Sequence, residues 1–328
     1  MKRFFARWFD PYVLALLVTL AIGLSVQIAE AGTVLLDGAV RVAVALLFFA
    51  YGMRMSPQEM IAGLKNFKLQ GAVLAVTFAL FPLLGLFFFW VSGPLIGEPL
   101  AIGVLFLCLL PSTVQSSVVL IASAKGNIPA GIYAATISNV LGIILTPALV
   151  FLLLGFGGGE IAIGGVYAVL LNLLAPFTAG LLLQKWVGRW LQSQKRLTMV
   201  LDRGTILLVV FSAAAGASGF LELKWITVMV LIALCASLLA VILSVTWWLG
   251  SALGLDKPDR IVLLFSASVK SLATGLPMAA IILPPATAAA VAIPVIIYHQ
   301  LQLIGGAVIA SRLSGGGEAH NTQKVKDS

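Results

Sequence analysis

The sequence predicts an all-α integral membrane protein of ten transmembrane helices, arranged as two five-helix halves of opposite orientation. Three observations carry this reading. Apolar residues make up 61% of the 328-residue chain and charged residues only 10%, against roughly a quarter charged in soluble domains. Mainly apolar runs of roughly 20 residues, enough to cross about 30 Å of hydrocarbon, recur ten times along it. The basic residues alternate between these runs as the positive-inside rule requires. Continuous runs of this length argue for helices rather than a β-barrel, whose strands alternate over about ten residues.

The first span, 11–28, follows the basic start MKRFFAR. That start resembles a signal-peptide n-region, but the run behind it is of full membrane length and lacks an A-x-A-like cleavage site. Spans two to five fall at 33–51, 69–91, 99–122 and 129–154, and spans six to ten at 161–184, 204–221, 225–249, 260–282 and 286–311. With the N-terminus in the cytoplasm, seventeen of the 20 lysines and arginines lie on the cytoplasmic side, Arg54, Lys125, Lys195 and Arg203 among them. Lys224 alone falls outside, and Arg41 and Lys270 fall within spans. The net charge of +8 thus reflects topology rather than a nucleic-acid partner. All seven tryptophans (8, 90, 186, 190, 225, 247 and 248) sit near span ends, as interfacial rings prefer. Cys108 and Cys235 lie in separate apolar spans and read as small core residues without a disulfide. Residues 313–328 form a polar tail, expected to be disordered, that includes His320.

Ten spans divide into residues 1–155 and 156–312. In each half the fourth span is interrupted by polar residues, CLLPSTVQSS at 108–117 and SASVKSLATGLP at 266–277. Because five is odd, the second half enters the membrane from the other side, which makes an inverted repeat. Secondary transporters are built this way, with substrate and ions near the midplane at discontinuous helices.

Backbone at membrane depth must be hydrogen-bonded, so an unwound stretch occurs only where it is buried in protein or lines a cavity. Pro111 removes a donor at the first break, and Ser112, Thr113, Gln115, Ser116 and Ser117 can supply replacement bonds or oxygen ligands. Ser266, Ser268, Ser271 and Thr274 do the same at the second, where Gly275 and Pro277 are the expected helix-breaking residues. Half-helix N-termini meeting there would turn positive dipole ends towards an anion. The alternative is a pair of proline kinks with serine and threonine back-bonding; the matched positions in the two halves favour a binding site.

A lysine at the centre of a span costs at least about 2.5–3.5 kcal/mol, and Lys270 is too far from either end to snorkel. It must face a wet cavity, pair with an acid or be neutral, and neither break contains Asp or Glu. Three roles follow: binding an anionic substrate, carrying a coupling proton, or a structural lysine bonded to carbonyls. Ser138 and Asn139 of the fifth span and Tyr298, His299 and Gln300 of the tenth lie at midplane depth as candidate cavity lining. Asp37 and Arg41, spaced i,i+4 with the acid first, are expected to pair on the second span. Nucleophile-elbow, zincin, P-loop and dinucleotide motifs are all missing. No catalytic residue or cofactor is therefore assigned, and the chain is not read as an enzyme.

The stretches FDPYVLALL, ALLFFAYGMRMS, LCLLPSTVQSSV, KGNIPAGI, SVKSLATGLPMA and IYHQLQL together resemble the bile acid:sodium symporter family over residues 8 to about 312. Within it they are most similar to the SBF-like branch of bacterial transporters, the YfeH-like proteins. The resemblance implies a core of helices 3–5 and 8–10, a panel of helices 1, 2, 6 and 7, and broken, crossing fourth and ninth helices. In sodium-coupled members a Ser-Asn pair after the first break supplies Na⁺ oxygens, and Ser116 and Ser117 occupy those positions. The fifth-helix ligands fall on Gly131 and Ala135, which have no side-chain oxygen. The glutamate of the ninth helix falls on Ser268, with Lys270 two residues on, and a His-Asn pair lining the substrate cavity matches His299 and Gln300. A Na⁺ site would be reduced to Ser116, Ser117 and Ser268, beside an ammonium.

The expected function is secondary active transport of a small organic anion by alternating access, with panel rocking against core around the crossing. Gln115, Ser116, Ser117, Ser268, Lys270, Ser271, Thr274 and the half-helix ends would hold the anion or the coupling ion. Na⁺, H⁺ or Lys270 itself fills the coupling role. The reading from another class is a membrane regulator of ion homeostasis with little transport of its own. The expected setting is the lipid bilayer of a bacterial inner membrane, with both termini cytoplasmic, and the scheme requires no more than one chain.

Overall fold

The computed structural model describes residues 11–26, 28–55, 66–154, 167, 169–216 and 224–315. The basic start, the beginning of the sixth span, the end of the seventh and the tail from 316 onward lie outside the described residues. All regular structure among the described residues is helical. In chain order the helices are α1 Pro11–Ser25, α2 Glu30–Arg54, α3 Phe67–Ile96, α4 Glu98–Leu109, α5 Val114–Ser123 and α6 Ile128–Leu153. They continue with α7 Leu170–Gly188, α8 Arg189–Ser193, α9 Lys195–Gly216, α10 Trp225–Ala252, α11 Lys257–Ser268, α12 Leu272–Ile282 and α13 Pro285–Gly315.

Among the described residues, eight spans are long and apolar enough to cross a membrane, or nine when the pair α4–α5, bent by 65°, counts as one. A tenth crossing would need α1, whose 15 residues reach about 22 Å by helical rise. The interruptions expected at 108–117 and 266–277 are present as gaps of unwound chain at 110–113 and 269–271. Helix α9 starts at Lys195, well before the apolar run expected from 204. Its first turns carry Lys195, Arg196, Asp202 and Arg203, which continue the helix but carry no hydropathy signal.

The helices pack in two groups that meet where α9 lies on α12 and α13. In one, α1 lies on α9, and α2 on α7 and α9. The α2–α7 approach is backbone to backbone: a Cβ on Gly52 would fall 2.1 Å from Phe177 O, and one on Gly180 2.0 Å from Phe49 O. Arg54 of α2 and Asp202 of α9 add a two-pronged ion pair at 2.8 and 3.1 Å. The expected Asp37–Arg41 pair is not made. Both residues are exposed, where an ion pair gains little, and Asp37 instead accepts from Ser212 Oγ at 3.5 Å.

The other group contains α3 to α6 and α10 to α13. Three of its helix starts are tied together. Asn66 caps α3 by accepting from Leu69 N, and Asn127 caps α6 by accepting from Ala130 N. Both amides then donate to the carboxylate of Asp259, in the first turn of α11, at 2.8 and 2.9 Å. A carboxylate shared by three helix N-termini sits where their dipoles favour negative charge. Buried in this group is the α11–α12 span, whose apolar stretch is 94% covered by protein. Both cysteines are buried and free.

Candidate functional site at two broken helices

The first break runs from Leu110 to Thr113 with Pro111 inside it, and its backbone can be accounted for carbonyl by carbonyl. The oxygen of Leu107 accepts from Leu110 N (3.3 Å), that of Leu109 from Thr146 Oγ1 (2.8 Å) and that of Pro111 from Ser271 N (3.0 Å). Ser112 O accepts from Asn139 Nδ2 at 2.8 Å, and Thr113 O from the Ser117 hydroxyl. Cys108 O and Leu110 O accept from Lys270 Nζ at 3.3 and 2.7 Å. Every carbonyl from 107 to 113 therefore has a donor, as unwound backbone at membrane depth requires. The Ser271–Pro111 bond joins the two breaks directly.

Lys270 is 1% exposed. Its third carbonyl partner, Thr77 O at 3.3 Å, exists because of a local irregularity in α3. The chain makes a π-helical turn at Val76–Leu80, so Phe81 N bonds to Val76 O, five residues back. The next residue, Pro82, has no N–H. Thr77 O is thus released towards the lysine, and the Phe81 ring covers the ammonium at 3.8 Å, a cation–π contact. Three carbonyl partners match the three N–H donors of an ammonium; a neutral amine has two. Two of the carbonyls, Cys108 and Leu110, end the half-helix α4, where the dipole favours a cation. Among the described residues, the hydrogen-bond partners of Lys270 Nζ are these backbone carbonyls.

The second break is clamped by α13. Lys270 N donates to Gln302 Oε1 at 2.8 Å, and Gln302 Nε2 donates to Lys270 O at 3.0 Å. Tyr298 OH donates to Ser268 O at 2.9 Å. Ser271 Oγ caps α12 by accepting from Thr274 N at 3.2 Å. The first break is clamped in the same sense by α6: Ser112 N donates to Ser138 Oγ at 3.0 Å, and Asn139 holds its carbonyl.

Gly275 and Pro277 lie inside α12, after the break, rather than at it. The break ends four residues upstream of Gly275, where the clamp on Lys270 and the Ser271 cap set it. Gly275 serves close approach instead, since a Cβ there would fall 2.4 Å from Leu110 Cδ1. Pro111, by contrast, is at its break. Ser117 and Ser268 are buried, and both hydroxyls donate to their own helices, to Thr113 O and Leu264 O. With Gly131 and Ala135 offering no side-chain oxygen and an ammonium built into the second break, this donor set does not fit a Na⁺ site.

A cavity of about 1250 Å³ runs from the crossing to the end of the bundle. Its inner end is lined by Thr113, Gln115 and Ser116 of the first break, Leu272 and Ala273 of the second, and His299. These are the first turns of α5 and α12, so both positive helix ends face it. Its outer end carries Arg54, Lys195, Asp202 and Arg203. Gln300 is half-buried and is not among the lining residues, because it is turned about 100° from His299 on the helix. Gln302, Thr77, Phe81 and Thr146 are the residues sequence reasoning passed over. Gln302, a polar side chain three residues after His299 in an apolar span, was the available signal.

The chain matches the model of the SBF-like CPA transporter family over residues 8–315. It is 39% identical over 308 residues to an uncharacterised protein of Pseudomonas aeruginosa, covering 92% of each chain. To YfeH of Escherichia coli, named as a candidate symporter, it is 34% identical over 315 residues, covering 95% of this chain and 94% of that one. Sodium/bile acid cotransporter 7 of Rattus norvegicus is 24% identical over 275 residues, covering 82% and 81%. The chain is a transporter rather than an enzyme, and it belongs to the SBF-like CPA transporter family.

Proposed function

We propose that the chain is a secondary active transporter of a small organic anion. The observation that carries this is the shared cavity: the first turns of two half-helices open into one space beside His299. Backbone N–H groups at helix starts are ready anion sites, and in transporters such half-helix ends point at anionic substrate groups. The cationic outer end, with Arg54, Lys195 and Arg203 against Asp202, favours entry of the same charge.

In this reading ten spans form an inverted five-plus-five repeat, residues 1–155 and 156–312, with both termini in the cytoplasm of a bacterial inner membrane. The group α1, α2, α7 and α9 is the panel, and α3 to α6 with α10 to α13 is the core. The positive-inside rule puts the Arg54–Lys195 end of the cavity in the cytoplasm, so the conformation is inward-facing. The panel rocks against a core kept rigid by the Asp259 hub and the crossing. Gln115, Ser116 and His299 contact the anion, while Ser138, Asn139, Ser271 and Thr274 hold the backbone that does. Lys270 replaces a coupling Na⁺: its ammonium supplies a fixed positive charge at the C-terminal end of α4.

Uptake of carboxylates and sulfonates into proteoliposomes tests the reading. Transport that persists without Na⁺ is expected. If purified protein moves no such anion under any Na⁺ or H⁺ gradient, the transporter reading fails, and a regulator of ion homeostasis takes its place.

A further inference from the structure

Two hydrogen bonds fix the orientation of Gln302. The backbone N–H of Lys270 can only donate, so the atom it meets at 2.8 Å is the amide oxygen. The other end is therefore the NH₂ group, which donates to Lys270 O at 3.0 Å and meets His299 Nδ1, also at 3.0 Å. Nδ1 must then accept, which puts the imidazole proton on Nε2 and leaves the ring neutral. A proton added at Nδ1 would set two donors face to face. Flipping the amide relieves that clash, but it turns NH₂ against the Lys270 N–H and oxygen against the Lys270 carbonyl. An imidazolium at 299 and an intact clamp on the second break exclude one another.

We propose that His299 is the proton-sensing group of the transporter: a proton taken up at Nδ1 releases the Gln302 clamp on the Lys270 peptide, so that anion and proton are taken up together. The proposal rests on the transport reading for its anion, though the lock itself does not. The proton comes from cavity water and returns to it, and Gln302 keeps its own hydrogens. His299 is half-buried and lines the same cavity wall as Gln115 and Ser116, so an anion bound there favours the imidazolium. The freed peptide adjoins Ser271, whose N–H joins the two breaks through Pro111 O. A change at the cavity wall therefore reaches the crossing through the hydrogen bonds from His299 to Gln302, from Gln302 to the Lys270–Ser271 peptide, and from Ser271 N to Pro111 O.

Among the described residues, the charged and titratable groups around His299 come from a few helices, and Tyr12 of α1 lines the same cavity. Helix α9 brings Lys195, Arg196, Asp202 and Arg203, and α2 brings Arg54 across the cavity. Lys270 lies behind Gln302, and Cys108 of α4, Cys235 of α10 and Tyr298 of α13 itself are buried. Helices α5 and α12 carry no titratable side chain. Imidazole is the side chain whose ordinary titration falls between about pH 5 and 8.

The test is thermal melting of the purified full chain between about pH 8 and 5.5, the range in which imidazole titrates. The clamp is present while His299 is neutral and lost on protonation, so the wild-type melting temperature should fall by several degrees as pH drops. His299→Asn, whose amide oxygen reproduces the Nδ1 acceptor without taking a proton, should match wild type at the upper pH and lose the step. Gln302→Met should melt low at both ends, with no step. A step that survives in His299→Asn overturns the proposal. So does one removed by Lys270→Met alone, which would put the proton on the lysine. If His299→Asn gives no monodisperse protein, ¹⁵N spectra of histidine-labelled wild type decide. Nε2–H at the upper pH, with Nδ1 protonated only across the melting step, supports the lock; Nδ1–H at the upper pH overturns it. An intact lock in a protein that moves no anion would sink the transport reading alone.

Discussion

At the first break the peptide of Ser112 is held on both sides by Ser138 and Asn139 of α6; at the second, the peptide of Lys270 is held on both sides by Gln302 of α13. In both, the helix that follows the broken span, α6 or α13, supplies the missing partners. The means differ. The first clamp uses a hydroxyl and an amide from two residues, with Pro111 at the break and a 65° bend. The second uses one amide that also meets a histidine, carries an ammonium, and continues as a single 26-residue span. The first peptide is clamped by neutral groups, whereas the second clamp meets a histidine, and Lys270 of the second break also bonds Cys108 O and Leu110 O of the first. Two stretches that look alike as polar interruptions thus have unlike work, the first shaping the cavity and the second setting its electrostatics.

The largest test of this contrast removes the charge. Lys270→Ala leaves three buried carbonyls without donors, at about 1–3 kcal/mol each. We expect loss of most thermal stability and of transport, read by melting and by uptake, with Lys270→Arg retaining more than Lys270→Met. If Lys270→Met melts like wild type, the second break does not depend on its cation. Next comes the contact between the breaks. Gly275→Val drives a side chain into Leu110 and should cost about 1–3 kcal/mol of stability as overpacking, whereas Gly204, with nothing nearby, should accept alanine without loss.

The clamps themselves come third. Gln302→Met removes both hydrogen bonds to the Lys270 peptide, together with the contact to His299, and should cost about 2 kcal/mol or more, against about 1 kcal/mol for Ser138→Ala, which removes one. Equal effects would mean that the second peptide has other support. The smallest effect is expected at the hydroxyls aligned with a sodium site. Ser117→Ala, which loses only back-bonds to its own helix, should shift stability by less than about 0.5 kcal/mol. Adding Na⁺ should not raise the melting temperature of wild type or variant. A Na⁺-dependent rise that Ser116→Ala and Ser117→Ala abolish would restore the ion.

Much of the scaffold could be read in advance, because hydropathy and basic-residue placement are properties of chain segments alone. Among the described residues the apolar runs fall on eight or nine membrane-length spans and the shorter helix α1, and Pro111 marks its break. Where local signals mislead, the reason is specific. Pro277 and Gly275 sit inside α12, since a glycine there makes room for Leu110 rather than unwinding the chain. The start of α9 is charged and so was left outside its span. Asp202, the partner of Arg54, lies 148 residues away, beyond the reach of any helical spacing rule.

What the sequence by itself determined is the membrane setting, the helical class, the two interruptions and the presence of an unpaired lysine among apolar residues. Periodicity, length and charge are enough for these, because the bilayer imposes them segment by segment. What only the tertiary structure decided is how that lysine is satisfied. Its partners are backbone oxygens of Thr77, Cys108 and Leu110. Carbonyls are present at every residue, so no side-chain pattern can announce which ones are released. A π-turn, a proline and the end of a half-helix release these three, and only their meeting in space makes a site for a buried charge.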